Sequence, residues 1–137
     1  MHADSRIRHH DLCFGCGQAN LFGLQLELEP SDAGVAGRFF VKQDHQGPPG
    51  YAHGGVITAA LDEAMALLVH QRGRPALTTR LEVDLLAPAP VGAFVDVRAE
   101  LEADEGRCLV LAAGASVEGR EVARAHGTFV RFGYARP

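Results

Sequence analysis

The sequence predicts an α+β fold in which an antiparallel β-sheet wraps around one long central helix, in the order β-β-α-β-β-β-β. Three observations predict it. The run His53–His70 (HGGVITAALDEAMALLVH) is apolar on nearly every side, and such a helix is buried or wrapped by other elements. Two stretches before it and four after it have strand character between turn signals. Strands segregated about one apolar helix favour α+β over an alternating parallel sheet.

The first strand is marked by Leu24, Leu26 and Leu28 alternating with Gln25, Glu27 and Glu29, the period-2 pattern of a half-buried strand. Pro30-Ser31-Asp32 and Gly34 form a turn, and Val35 to Lys42 returns as the second strand of a hairpin. Gln46 to Gly50 (QGPPG) is a loop by composition. The helix spans about Gly54 to His70 and is stopped by Gly73 and Pro75. In Ala76 to Leu86, Leu77, Thr79, Leu81, Val83 and Leu85 share one face and Thr78, Arg80, Glu82 and Asp84 the other, so Thr79 is expected in the core. Ala93–Ala103, Arg107–Val117 and Arg120–Phe132 complete the set. Residues 1–20 form a loosely structured N-terminal segment, and 21–137 form one domain.

A chain of 137 residues with 47% hydrophobic content fits one globular core. The net charge of −4 argues against a general nucleic-acid binder but not against a small anionic ligand on a local basic patch. The polar N-terminus lacks the apolar core of a signal peptide, and no run approaches about 20 apolar residues, so no membrane span is expected. Three cysteines do not make a disulfide framework, which points to a reducing compartment, the cytoplasm.

His53-Gly54-Gly55 carries the chemistry. A helix start built from two glycines presents backbone N–H groups to an oxyanion or a polarised carbonyl. Asp62 lies on the same apolar helix, where a carboxylate is costly to bury and needs a reason. Together they suggest a site that polarises a carbonyl and attacks it.

These residues resemble the hotdog thioesterase superfamily, and within it the branch of thioesterase superfamily member 4-like and phenylacetic-acid-pathway acyl-CoA thioesterases. The resemblance runs from about residue 12 to residue 132. It rests on Cys13-Phe14-Gly15-Cys16-Gly17 with Gly23-Leu24, on His45-Gln46-Gly47-Pro48-Pro49-Gly50, and on His53-Gly54-Gly55 with Asp62 nine positions on. Leu77-Thr78-Thr79 and Pro88 to Gly92 extend it. It implies a hotdog fold and hydrolysis of an acyl-CoA or related acyl thioester to acid and thiol. Asp62 is then nucleophile or general base, Thr78 orients the carboxylate or water, and the Gly55 amide binds the thioester carbonyl. His53 and Gly54 support that substrate-binding loop. Where several relatives carry Asn or Gln to help hold the carbonyl, this chain has Gly47; Gln46 or His45 substitutes, or the helix terminus acts alone. No metal or organic cofactor is required.

Asp62 lies seven residues beyond Gly55, roughly 10 Å along a helix axis. One helix does not easily bring both groups to one carbonyl carbon, whereas two facing helices do. The spacing thus favours a homodimer, or a dimer of dimers, with the site at the subunit interface.

Glu63 is the rival carboxylate, about 100° around the helix from Asp62. His9, His10, Cys13 and Cys16 offer four zinc-ligand types within eight residues. One Cys-x-x-Cys is half a usual site and adjacent histidines rarely serve one ion, so a packing role is expected and no metal is assigned. Arg72, Arg74, Arg80 and Arg120 are candidates for a coenzyme A phosphate. A non-catalytic acyl-CoA-binding or sensing module is the alternative function. A hotdog hydratase is disfavoured because its Gly-Asp-x-Asn-Pro-x-His pattern is absent.

Overall fold

The computed structural model describes residues 4–73 and 75–132. Strands β1 (Glu27–Pro30) and β2 (Gly34–Phe40) precede helix α1 (Gly54–Gln71). Strands β3 (Ala76–Leu85), β4 (Phe94–Asp104), β5 (Cys108–Val117) and β6 (Arg120–Arg131) follow it. All pairings are antiparallel, and the spatial order is β1-β2-β4-β5-β6-β3. This is the expected sheet around one helix. Among the described residues, no helix is long and apolar enough to cross a membrane.

The sheet presents its apolar face to α1. On β4, Val95, Val97 and Ala99 are buried while Asp96, Arg98 and Glu100 are exposed, as strand alternation requires. From the helix, Leu61, Met65 and Leu67 are fully buried, each such side chain contributing about 1.5–3 kcal/mol of burial. The close approach of α1 depends on small residues beneath it. A Cβ on Gly127 of β6 would lie 3.0 Å from the Met65 side chain. The helix ends as the sequence indicates: Gly73 adopts φ +85, a left-handed conformation that favours glycine.

Two local expectations are corrected. The first strand starts only at Glu27. Leu24, Leu26 and Leu28 are buried as their alternation indicates, but Gln25 has φ 51 and breaks the extended run. The amides of Leu24 and Leu26 bond to the carbonyls of Phe14 and Gly15 instead of β2. From Ile7 onward the N-terminal segment is therefore tied to the fold rather than loose: Ile7 pairs with Leu28, and Cys16 is fully buried.

The second correction is on β3. Its register against β6 shifts between Thr78 and Arg80, so Thr79 is the extra residue of a bulge. Thr79 is exposed, not core, with its hydroxyl donating to the Thr128 carbonyl. Leu77 and Leu85 are also exposed. Thr78, three positions from Leu81, would face away from it on a regular strand; the bulge turns it toward α1, where Leu81 and Val83 also pack.

Candidate functional site

The loop entering α1 is pinned on two sides. The His53 N–H donates to the His45 carbonyl (2.8 Å), and the Ala52 N–H donates to the Ala89 carbonyl (2.8 Å). The Gly47 N–H donates to the Tyr51 carbonyl (2.9 Å). Separate motifs of the sequence thus meet at one place: QGPPG, the helix start and the Pro88–Gly92 stretch.

His53 caps the helix. Its backbone is extended, and its Nδ1 accepts the Gly55 N–H at 2.8 Å. The amide expected to hold a carbonyl therefore already has a partner. The Val56 N–H donates to the His53 carbonyl. Among the described residues, no acceptor meets the Gly54 N–H.

Asp62 sits two turns on, at the same angular position as Gly55 to within about 20°. Gly55, Ala59, Asp62 and Ala66 form the less-buried stripe of an otherwise enclosed helix. Thr78 Oγ1 donates to Asp62 Oδ1 at 2.7 Å. Burial raises the Asp62 carboxyl above its ordinary value; the Thr78 hydrogen bond opposes this and the nearby Glu63 charge reinforces it. The structure thus brings Asp62 and Thr78 together, and places the Gly55 amide further along the same face.

Glu63 does not share that face. It is buried, accepts from Cys13 Sγ (3.4 Å) and pairs with His9 Nδ1 (3.1 Å). Its contacts lie with the N-terminal segment.

The two suggested substitutes for a second carbonyl donor have other tasks. Gln46 Oε1 accepts the Gly50 N–H within the loop. His45 is buried, with Nδ1 accepting the Lys42 N–H (3.0 Å) and Nε2 donating to the Gly23 carbonyl (3.2 Å). Gly47 is itself constrained, because a Cβ there would stand 2.8 Å from His53 Cα. Of the arginine candidates, Arg72 pairs with Asp104 and Arg80 with Glu82, and Arg74 lies outside the described residues.

An apolar cavity of about 380 Å³ opens beside the helix start, lined by Tyr51, Gly54, Ile57, Leu85, Leu86 and Pro88 among others. A larger one, of about 540 Å³, lies across the outer face of the sheet between Glu27, Arg38, Asp96 and Arg98. The smaller cavity is the one adjoining the glycine start. Sequence reading missed Leu85 and Leu86 as lining residues, because they register as ordinary apolar strand positions.

A family model described as the thioesterase superfamily matches residues 49–123, more than half of the chain. The chain belongs to the thioesterase superfamily. The match takes in the helix start, Asp62 and Thr78. Similar solved structures include a mutant of the phenylacetic acid degradation protein PaaI from Thermus thermophilus, with 31% identity and a TM-score of 0.72, over 77% of this chain and 92% of that one. The thioesterase superfamily protein RHA08564 shares 28% identity at a TM-score of 0.71, over 77% of this chain. This chain spans about half of that protein's length (53%). A hypothetical thioesterase from Streptococcus pneumoniae TIGR4, solved with coenzyme A, has 20% identity and a TM-score of 0.74, over 78% of this chain and 88% of that one. That protein was also solved as separate aspartate-to-alanine and threonine-to-alanine mutants. With these superfamily structures the chain shares the hotdog fold.

Proposed function

We propose that this thioesterase-superfamily chain hydrolyses an acyl-CoA or a related acyl thioester, with Asp62 as nucleophile or general base. The observation that carries the reading is the Thr78–Asp62 hydrogen bond on the one accessible stripe of α1. A half-buried carboxylate with one oxygen fixed has its other oxygen available to a water or a carbonyl carbon. Water supplies the new C–O bond, the C–S bond breaks, and the departing thiolate takes up a proton. The coenzyme A held by the Streptococcus pneumoniae protein supports coenzyme A as the thiol half. The apolar cavity beside Gly54 suits an acyl chain or the arm of the thiol.

The carbonyl oxygen is assigned to the Gly55 amide, aided by the positive end of the helix dipole. It shares or displaces the His53 ring to reach that amide, and Gly54 and His53 shape the approach. The distance from Gly55 to Asp62 argues for the Gly55 of one protomer and the Asp62 of a second. The unpaired edge of strand β3, with Leu77 exposed on it, gives a second copy a surface to cover.

Thiol release from a panel of short, medium, long and aryl acyl-CoA substrates tests the proposal. Saturable release with at least one of them supports hydrolysis. Binding of acyl-CoA without release on any of them replaces it with a sensing module.

A further inference from the structure

One cluster of reactive side chains plays no part in the proposed hydrolysis. His9, Cys13, Cys16 and Glu63 each direct a ligand-type atom to a common point, and these atoms lie within 4.8 Å of one another. His9 Nδ1 is 3.6 Å from Cys13 Sγ and 3.8 Å from Cys16 Sγ. Glu63 Oε2 is 3.1 Å from His9 Nδ1 and 3.4 Å from Cys13 Sγ. Both cysteines are free thiols.

We propose that His9, Cys13, Cys16 and Glu63 bind one zinc ion in a closed tetrahedral site that staples the N-terminal segment to the central helix. The separations carry the assignment. Zinc bonds of about 2.3 Å to sulfur and about 2.0–2.1 Å to nitrogen or oxygen place tetrahedral neighbours roughly 3.3–3.8 Å apart. Four of the six separations lie within or just below that range, and the other two are no longer than 4.8 Å, so the side chains draw in to close on an ion.

The surroundings are built for such a site. Gly15, between the two cysteines, lies against the Glu63 side chain, where an added Cβ would be 2.4 Å from the carboxyl carbon. The His9 N–H donates to Cys16 Sγ at 3.2 Å, a hydrogen bond that favours a thiolate. The His9 ring packs edge-on against His70, near the end of α1. His10 is turned elsewhere, its Nδ1 accepting the Leu12 N–H, which removes the difficulty of two adjacent histidines on one ion.

Two thiolates, an imidazole and a carboxylate suit zinc better than magnesium or calcium, which prefer all-oxygen shells. All four positions are filled by protein, so the site is structural rather than catalytic. Binding releases to solvent every proton carried on the ligating atoms, and the ion's affinity adds to the stability of the folded state. The proposal is independent of the hydrolytic reading.

The test uses the full chain, expressed with zinc in the medium and purified reduced, without chelator or metal-affinity tag. Elemental analysis is expected to find one zinc per chain. Cobalt exchanged into the site is expected to give the intense visible bands of a tetrahedral ion together with thiolate charge-transfer bands. Glu63→Gln, which keeps the side-chain shape, should retain the charge-transfer bands and weaken binding at least about tenfold. Cys13→Ser with Cys16→Ser should abolish both signals. If that double variant fails to fold, the wild-type stoichiometry and cobalt spectrum still decide. A wild-type chain that takes up no zinc overturns the proposal. So does one that shows only the weak spectrum of aqueous cobalt, or whose Cys13 and Cys16 are recovered as a disulfide.

Discussion

Thr78 Oγ1 donates a 2.7 Å hydrogen bond to Asp62 Oδ1, joining the sheet's edge strand to the central helix. The bond exists because the β3 bulge at Thr79 turns Thr78 inward. Hydrogen bonding favours the ionised carboxylate, whereas burial disfavours it. The wild-type kcat/KM should therefore rise with pH through a value above that of an ordinary aspartate. In Thr78→Val the opposing hydrogen bond is lost, so the acid limb should move to still higher pH. A hydrogen bond to a charged group is worth about 1.5–3 kcal/mol, and activity on the acid side should fall roughly tenfold or more. A pH–rate profile of both proteins checks the direction of the shift.

His45 gives a separate pH signature, in stability. Burial holds its pKa below the ordinary 6.5. A second proton would sit on Nδ1, facing the Lys42 N–H donor. The unfolded chain takes up that proton more readily than the folded one, so this contribution is fully present above about pH 6.5 and is lost as pH falls through the folded value. Urea unfolding at about pH 7.5 and about pH 5.5 should show a smaller loss on acidification in His45→Gln than in the wild type. Equal losses would remove His45 as the cause.

Gly47→Asn would restore an amide that several relatives carry. Its Cβ would stand 2.8 Å from His53 Cα, and overpacking of this kind typically costs about 1–3 kcal/mol. The substitution should lower both Tm and kcat/KM by displacing the helix entry. A higher kcat with an unchanged Tm would show that the loop accommodates a second carbonyl donor.

The two-chain site makes a prediction about mixtures. Asp62→Asn removes the carboxylate but leaves the Gly55 amide. Gly55→Pro removes the amide in the first turn, where no bond within the helix is lost although the cap to His53 is, so circular dichroism must show it folded. Co-assembled chains should regain activity that neither variant has alone, because one site in each mixed dimer receives both intact groups. Failure to regain activity in verified mixed dimers would place the whole site on one chain.

Much of this arrangement was legible in the sequence, for local reasons. The all-round apolar helix announced its own burial, and Gly73 with Pro75 its end. The turns between them located β4, β5 and β6 to within a residue. What escaped was set by distant contacts. Gln25 leaves the extended conformation where the N-terminal segment supplies carbonyls to Leu24 and Leu26. Strict alternation assigned Thr79 to the core and Thr78 to the outer face, and a single bulged residue reversed that. Glu63 read as a rival to Asp62 because adjacency along the chain does not reveal that a loop fifty residues earlier claims its carboxylate. Gly55 and Asp62 were found through the glycine start and the cost of burying a charge, whereas the cap from His53 to Gly55 emerged only with the loop geometry.

The central claim is that Asp62 drives thioester hydrolysis, and thiol release by Asp62→Asn tests it most directly. The substitution keeps the shape and an acceptor for Thr78 while removing the charge. On the acyl-CoA that the wild type turns over best, kcat/KM should fall at least about 100-fold, with circular dichroism and Tm showing a folded protein. Turnover within a few-fold of the wild type in that folded variant would contradict the account and move the chemistry away from Asp62.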